Sequence, residues 1–306
     1  MESLERLEGR LGSLRELRTI VKTMKALSAA SIRQYENAVE SLASYDRNIE
    51  LGLYVVLREL PARRLERSAA GAGRHAGIVF GSDHGLCGRF NEAVAEYALE
   101  RADGSDGPPS LLVAVGERVG ASLLGRGAEI AATWGVPGSA ETIVGLCERL
   151  LVLAERWRRD EQIGAVTVYF NHRTEQGSYK PDSRRLLPVD LARLGRRPAD
   201  GWPSRRLPAY SMQRERLLRR LLRQHLFVTL FRACAESQAS EHTSRLRAMQ
   251  SAERNLDERL DEVTMTYRRA RQGAITSELL DVVSGFEALT HAGDRAGSAP
   301  EPERRR

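Results

Sequence analysis

"LRAMQSAERNLDERLDEVTMTYRRARQGA", Leu246 to Ala274, is the stretch that decides the fold. Leu246, Met249, Leu256, Leu260, Val263, Tyr267, Ala270 and Ala274 recur in steps of three and four, and only Glu253 breaks the row. That repeat is a coiled-coil seam, narrower than the apolar face of an ordinary globular helix. No proline follows Pro208 up to Leu289, and the only glycines there are Gly273 and Gly285. Roughly 80 helical residues at 1.5 Å each would make a rod of about 120 Å. A compact globule of 306 residues has no room for such a rod, so it must protrude and pair with another helix.

The partner lies at the other end of the chain. From Leu4 to about Leu60 the pattern is helical, and Pro61 is the first proline. Leu14, Leu17, Val21, Met24, Ser28, Ser31, Tyr35, Ala38, Leu42, Tyr45 and Ile49 form the expected seam, with small residues that admit a close neighbour. Between the two helices the character changes. Short β-prone runs at Ala76–Phe80, Leu111–Val115, Glu129–Thr133 and Ala165–Phe170 alternate with helical stretches at Phe90–Arg101, Glu117–Leu124 and Ala140–Arg159. Such alternation predicts a small α/β domain with a mainly parallel sheet. "ADGSDGPPS", Ala102 to Ser110, reads as a solvated loop.

The expected fold class is therefore α/β: two long terminal helices forming an antiparallel coiled coil, with an inserted Rossmann-like α/β domain. The boundaries are 1–60 for the first helix, 74–202 for the domain, 207–289 for the second helix and 290–306 for a disordered polar tail.

Composition narrows the function classes. Apolar residues make up 42% and aromatics only 6%, which favours helix–helix packing over an aromatic-rich β sandwich. The net charge of +6 rests on 47 cations, of which only Lys22, Lys25 and Lys180 are lysines. The arginines are interleaved with acids along helices, so a solvated face explains them better than a nucleic-acid site. Cys87, Cys147 and Cys234 are odd in number and far apart, which fits a reducing compartment and no zinc site. No apolar run approaches the roughly 20 residues of a membrane span. The acidic and basic start "MESLERLEGRLGSLREL" lacks the pattern of a signal or transit peptide.

One stretch invites a catalytic reading. In "VFGSDHGLCGRFNEAV", Val79 to Val94, an apolar run turns through Asp83, His84 and Cys87 among three glycines and then becomes helical. A phosphate cradle would use glycine N–H groups at the helix start, but Gly81, Gly85 and Gly88 match neither GxGxxG nor GxxxxGK[ST]. A Cys87 nucleophile would need a thiol activated by His84 or the helix start. The third reading is a tight strand-to-helix turn, with glycines at positive φ, Ser82 or Asp83 as a cap and Cys87 as a small buried residue. The remaining histidines are scattered, and Glu241 with His242 has no metal-ligand spacing. Arg268, Arg269, Arg271 and Gln272 fall near the tip of the expected rod.

Three stretches, in order, resemble the gamma subunit of rotary F-type ATP synthases. "TIVKTMKALSAASIRQ" carries Lys22, Met24, Ala29 and Arg33 of the family's N-terminal helix motif. "SDHGLCGRFN" is similar almost letter for letter to the family's S-D-x-G-L-C-G-x-x-N. "ASEHTSRLRAMQSAERN" and "YRRARQGAITSELLDVVSG" resemble its long C-terminal signature. Departures are Lys25 at a small or acidic position, Ser31 in place of a lysine, an arginine-rich Tyr267–Gln272 without the usual Asn, and a polar tail after Leu289. They leave room for a divergent, second-copy bacterial form.

The resemblance implies a rotor shaft without catalysis or cofactor, turning inside a ring of alpha and beta subunits. It also implies partnership with the epsilon subunit and the c-ring, and no nucleic acid. Membrane contact would come only through the c-ring, at the cytoplasmic face of a bacterial inner membrane. By matching positions, ring contacts are expected at Met24, Lys25, Arg245, Arg271, Gln272, Thr276 and Glu278, and a bearing at Leu279, Leu280, Val282 and Val283. The alternatives are an α/β nucleotide-binding or thiol enzyme with helical arms, and a coiled-coil nucleic-acid binder. Neither requires matched terminal helices.

Overall fold

A computed structural model describes residues 3–58, 60–61, 73–100, 108–174, 177–196, 202, 206 and 210–296. The elements in chain order are α1 (Leu4–Leu57), β1 (Arg74–Phe80), α2 (Phe90–Glu100), β2 (Leu111–Val115), α3 (Glu117–Leu124) and β3 (Ile130–Trp134). They continue with α4 (Ile143–Asp160), β4 (Ile163–Arg173), β5 (Tyr179–Leu187), α5 (Leu191–Leu194) and α6 (Arg214–Ala296). The chain divides into two compact units, residues 24–250 and the pair of segments 1–23 and 251–306.

In the larger unit the five strands lie in the order β3-β2-β1-β4-β5, and every pairing is parallel except the antiparallel β4–β5 edge. Side chains alternate between two cores with the period of two that a strand imposes. Ala76, Ile78 and Phe80 of β1, Leu111, Val113 and Val115 of β2, and Val166, Val168 and Phe170 of β4 enter one core. There they meet Leu146, Leu150 and Trp157 of α4, and Leu230, Phe231 and Ala235 of α6. Val79, Leu112, Ala114 and Tyr169 face the opposite core, closed by Val94 and Ala98 of α2 and Val119 and Leu123 of α3. Burial on both faces is why these strands read as nearly continuous apolar runs.

Sequence pattern places β2 and α3 at their observed bounds, and the other expected strands and helices within a few residues. It misses β5, because Lys180, Pro181, Arg184 and Arg185 make that segment look like a loop. Charged residues and proline are ordinary on an edge strand, where one side of the backbone pairs with nothing. The stretch 225–246 of α6 is enclosed on nearly all sides, a consequence of small residues at Ala233, Cys234, Ala235, Ser237, Ala239 and Ser240. It forms a layer of the α/β core and not a free rod, which seam periodicity alone does not indicate. Glycine-rich residues 102–107 of the expected loop lie outside the described residues. The expected polar tail begins inside α6, whose backbone continues to Ala296, and from 297 on it too lies outside them.

In the smaller unit, Leu7 and Leu11 of α1 are buried with Val263 of α6, and Leu14, Leu260, Tyr267 and Ala270 pack around them. Arg18 forms a 2.6 Å ion pair with Asp257. Ascending positions on α1 thus meet descending positions on α6, an antiparallel pair. The α6 seam is as expected at every position from Leu246 to Ala274. On α1 one row, Leu14, Val21, Ser28, Tyr35, Leu42 and Ile49, is as expected and begins at Leu7. In the second row Met24, Ser31 and Ala38 are half-buried as expected, whereas Leu17 and Tyr45 are 49% and 43% exposed, and Leu11, Arg18, Lys25, Ile32, Val39, Asp46 and Leu53 of the adjoining row also turn inward. Charged side chains can occupy a seam by laying apolar stems against it and pairing their heads. Arg18 does so with Asp257, and Asp46 lies 4.0 Å from Arg232.

The contrast between buried Leu11 and exposed Leu17 has a direct consequence. Leu11→Ala should destabilise the protein by about 2–4 kcal/mol, as loss of a buried leucine does. Leu17→Ala should stay within about 0.5 kcal/mol of the parent, as exposed substitutions do. Denaturant midpoints of the two variants check this, and a reversed order would restore the original seam.

Candidate functional site: the helix-docked turn and the exposed end of α6

The turn Gly81–Asn91 leaves the C-terminal end of β1, where open α/β sheets gather ligands. Its interior is filled by the chain itself. A side chain at Gly81 would put Cβ 2.3 Å from Val119 Cβ, and one at Gly116 (φ +125°) would lie 2.7 Å from the Ser82 backbone. The Ser82 N–H donates to Asn91 Oδ1 at 2.9 Å, and Asn91 Nδ2 returns a bond to Ser82 Oγ at 2.8 Å. Asp83 accepts from the backbone N–H of Glu117 at 3.0 Å and of Val136 at 2.9 Å. Its carboxylate therefore occupies the N-terminus of α3, the position an anionic ligand would take.

The outer side of the turn docks on α6. Ser244 Oγ donates to the Cys87 carbonyl at 2.6 Å. Arg245 Nη2 reaches the carbonyls of His84 at 3.3 Å and Gly85 at 3.4 Å, and pairs with Glu241 Oε1 at 2.6 Å. Gln238 donates to the other Glu241 oxygen at 3.2 Å. Burial pushes the Glu241 carboxyl up, and Arg245 and Gln238 oppose that shift. The turn thus presents carbonyl oxygens to a cation, the reverse of a phosphate cradle. Leu86 and Gly88 hold positive φ values of 65° and 62°, and Leu86 is 61% exposed at the tip.

Cys87 is 1% exposed, and burial raises its thiol pKa, with a smaller opposing effect from the Ser82 hydrogen bond. A nucleophilic cysteine needs the opposite shift. Burial also pushes Cys147 up to about 12 and Cys234 well above the ordinary thiol range, and all three are free. The cap reading of Asp83 and the buried reading of Cys87 therefore describe this turn. Among the described residues no group of three or more His, Cys, Asp or Glu is placed to hold a metal.

Beside the docked turn, Tyr35 of α1 stacks on His242 of α6 with ring centroids 5.8 Å apart and planes 15° apart. The Tyr35 hydroxyl donates to the Pro137 carbonyl at 3.2 Å, and burial lifts its pKa to about 12. Burial, and then the neighbouring Arg245, lowers His242 to about 4.

The expected partner residues are distributed unevenly. Met24 and Lys25 are half-buried on α1. Arg245, expected on the ring-contact surface, is 6% exposed and its guanidinium faces the turn and Glu241. Arg271, Gln272, Thr276 and Glu278 are exposed on α6, and Thr276 Oγ1 bonds back to the Gln272 carbonyl at 2.9 Å. Leu279, Leu280, Val282 and Val283 are 61%, 61%, 71% and 52% exposed, with Ile275 and Phe286 also uncovered. Missing from the sequence reading were Glu241, Ser244 and Asn91 as partners of the turn. Their polar side chains at buried positions become meaningful only when the turn is placed against α6.

Removing the guanidinium should leave a buried, uncompensated carboxylate and turn carbonyls without a donor. Arg245→Ala is expected to cost about 3–5 kcal/mol in unfolding free energy, and the double change Arg245→Met, Glu241→Leu should recover much of it. A second expectation concerns pH. The folded pKa of His242 lies below its unfolded value of about 6.5, so the unfolded chain takes the proton first. Its contribution is constant at neutral pH and is lost as pH falls from about 6.5 towards 4, by up to about 3 kcal/mol. His225, also lowered by burial, adds the same sign, and Glu241, raised by burial, adds the opposite sign. The difference between the parent and His242→Gln in denaturant midpoints from pH 7 to 5 isolates the histidine. Parallel profiles would remove it.

Comparisons with known proteins bear on both the turn and the long helices. A family model described as ATP synthase matches residues 3–289. An ATP synthase gamma chain of Anaeromyxobacter sp. (strain Fw109-5) is 33% identical, with 94% of this chain and 100% of that protein covered. One from Granulibacter bethesdensis is 28% identical at the same coverage. Among solved structures, a chain of the Euglena gracilis mitochondrial ATP synthase (OSCP/F1/c-ring, rotational state 3) matches with a TM-score of 0.62 and 16% identity, covering 99% of this chain and 98% of that one. A chain from the Tetrahymena thermophila mitochondrial central stalk and c-ring matches with a TM-score of 0.54 and 20% identity, covering 76% and 99%. At these identities the structural likeness speaks to the fold, and the near full-length sequence matches speak to kinship. The chain belongs to the ATP synthase gamma chain family.

Proposed function

We propose that this chain is the central-stalk rotor subunit of an F-type ATP synthase. It couples ion flow through a membrane ring mechanically to ATP synthesis or hydrolysis in an alpha/beta ring. The observation that carries the reading is the end of α6. Four large aliphatic side chains, Leu279, Leu280, Val282 and Val283, stand at least half exposed there. An apolar surface of that kind marks an interaction site. Each side chain, if fully covered, would add about 1.5–3 kcal/mol. A greasy collar suits a shaft that must turn, because apolar contact is non-directional and has no hydrogen bonds to break at each step.

Above and below such a collar a rotor needs contacts that differ around its circumference. Arg271, Gln272, Thr276 and Glu278 are exposed and suited to charge-assisted bonds with carboxylate and carbonyl groups of the ring. Met24 and Lys25 are the candidate contacts on α1. Arg245 belongs to the docked turn in this reading and leaves the contact set. Rotation of an asymmetric surface would take each ring site through different affinities, a coupling free energy between distant sites.

The chain itself would be non-catalytic. The Asp83 carboxylate at the α3 N-terminus, the carbonyls turned to Arg245 and the raised Cys87 thiol support that view against a nucleotide or thiol enzyme. The α/β domain would be the foot that meets the epsilon subunit and the c-ring. Its place would be peripheral, at the cytoplasmic face of a bacterial inner membrane. Among the described residues no helix is long and apolar enough to cross a membrane.

Affinity-tagged chain should copurify with alpha and beta subunits carrying ATPase activity, and retention of neither would end the reading. Arg271→Ala and Gln272→Leu should lower coupled ATP turnover of the assembled complex by several-fold, as loss of a charge-assisted bond of about 1.5–3 kcal/mol allows. Unchanged turnover and ion pumping in both variants would remove these two residues from the contact set.

A further inference from the structure

A cleft of about 660 Å³ lies between α4, the end of β5 and the first turns of α6. Its floor is apolar: Leu151, Ala154 and Ile163 are buried, and Leu187, Leu222 and Leu226 are half-buried. Over that floor stand Arg216, Arg219, Arg220 and Arg223 of α6, faced by Arg158 of α4. Positions i, i+3, i+4 and i+7 share one face of a helix and span about 10 Å along its axis.

Like charges at such spacing destabilise a helix by a few tenths of a kcal/mol per pair unless something answers them. Among the described residues, Arg158, Arg216, Arg220 and Arg223 have no ion pair or side-chain hydrogen bond, and Arg219 has only the Glu215 carbonyl at 3.4 Å. Among the described residues, Glu155 is the only acidic one lining the cleft.

We propose that this cleft binds one anionic phospholipid. Its phosphate would sit on Arg219, Arg220 and Arg223, and the first part of an acyl chain would lie on the leucine floor. Guanidinium forks match phosphate oxygens bidentately. A basic, leucine-rich helix face such as Arg214–Phe227 is the pattern of a membrane-surface segment. A single amphiphilic anion satisfies both the compact comb and the half-open, apolar-floored cleft. An acidic helix would lie across the comb and leave the floor uncovered. The proposal goes beyond the rotor reading and stands without it.

The test is flotation of the purified full chain with vesicles of phosphatidylcholine, with and without phosphatidylglycerol. Binding is expected only with phosphatidylglycerol. It should fall by at least about tenfold in Arg219→Ala, Arg220→Ala, Arg223→Ala, given about 1 kcal/mol per basic residue at an anionic surface. The triple Arg10→Ala, Arg15→Ala, Arg254→Ala removes the same charge from exposed positions elsewhere and should change binding less than about threefold, since exposed charges there make no headgroup contact. Equal losses in the two triples would reduce the effect to diffuse charge and overturn the site. Below their micellar concentrations, lysophosphatidylglycerols should bind more tightly as the chain lengthens, by up to about fourfold per buried methylene. Affinity independent of chain length, or polyglutamate binding as tightly as the vesicles, would likewise overturn it.

Discussion

Within the larger unit, the guanidinium of Arg245 joins parts of the chain 160 residues apart. It lies between the Glu241 carboxylate on its own helix and the carbonyls of His84 and Gly85 in the turn after β1. Charge-assisted bonds in a dry setting are roughly twice as strong as neutral ones. An unpaired buried charge costs several kcal/mol, so the arrangement tolerates no half measure. Once the turn is held there, other features follow. Glycine is required at Gly81 and Gly116, where a Cβ would collide with neighbouring atoms. Asp83 can reach the first N–H of α3 and the N–H of Val136, and Asn91 can close on Ser82. A sequence that resembles an active site is in this sense the fitting by which an α/β domain grips a helix.

That grip explains a division of labour along α6. Between residues 225 and 246 the helix is a core element, with small side chains admitting the sheet on one side and α1 on another. Helices stabilised by packing of this kind do not rely on intrinsic propensity. From Arg271 onward the same helix exposes arginine, glutamine and then a run of aliphatic residues. In the proposed rotor, a surrounding stator would cover these exposed leucines and valines.

Much of this was legible in the sequence, and the exceptions have physical causes. Strands β1, β2 and β4 were readable because burial on both faces leaves unbroken apolar runs, and the α6 seam because its heptads carry leucine, valine and tyrosine. Register on α1 was not readable from apolarity alone. Leu17 looks like a better seam residue than Arg18, yet Arg18 has Asp257 to meet at 2.6 Å and Leu17 does not. Strand β5 was hidden by Pro181 and its charges, which an edge position tolerates. Arg245 was expected on the ring-contact surface, and Glu241 and Ser244 had no assigned role, because sequence spacing cannot say that another segment lies against that face. The exposed candidates from Arg271 to Val283 were named from resemblance, and their exposure is the one property of them that the fold supplies.

Rotation is the claim on which the functional account rests. It can be observed directly in the assembled complex by fixing the catalytic ring and attaching a bead through Val152→Cys, a position 60% exposed on α4. The account predicts that ATP turns the bead continuously in one direction, and that Arg271→Ala slows it. A bead that stays still while the same complexes hydrolyse ATP at the normal rate would contradict it.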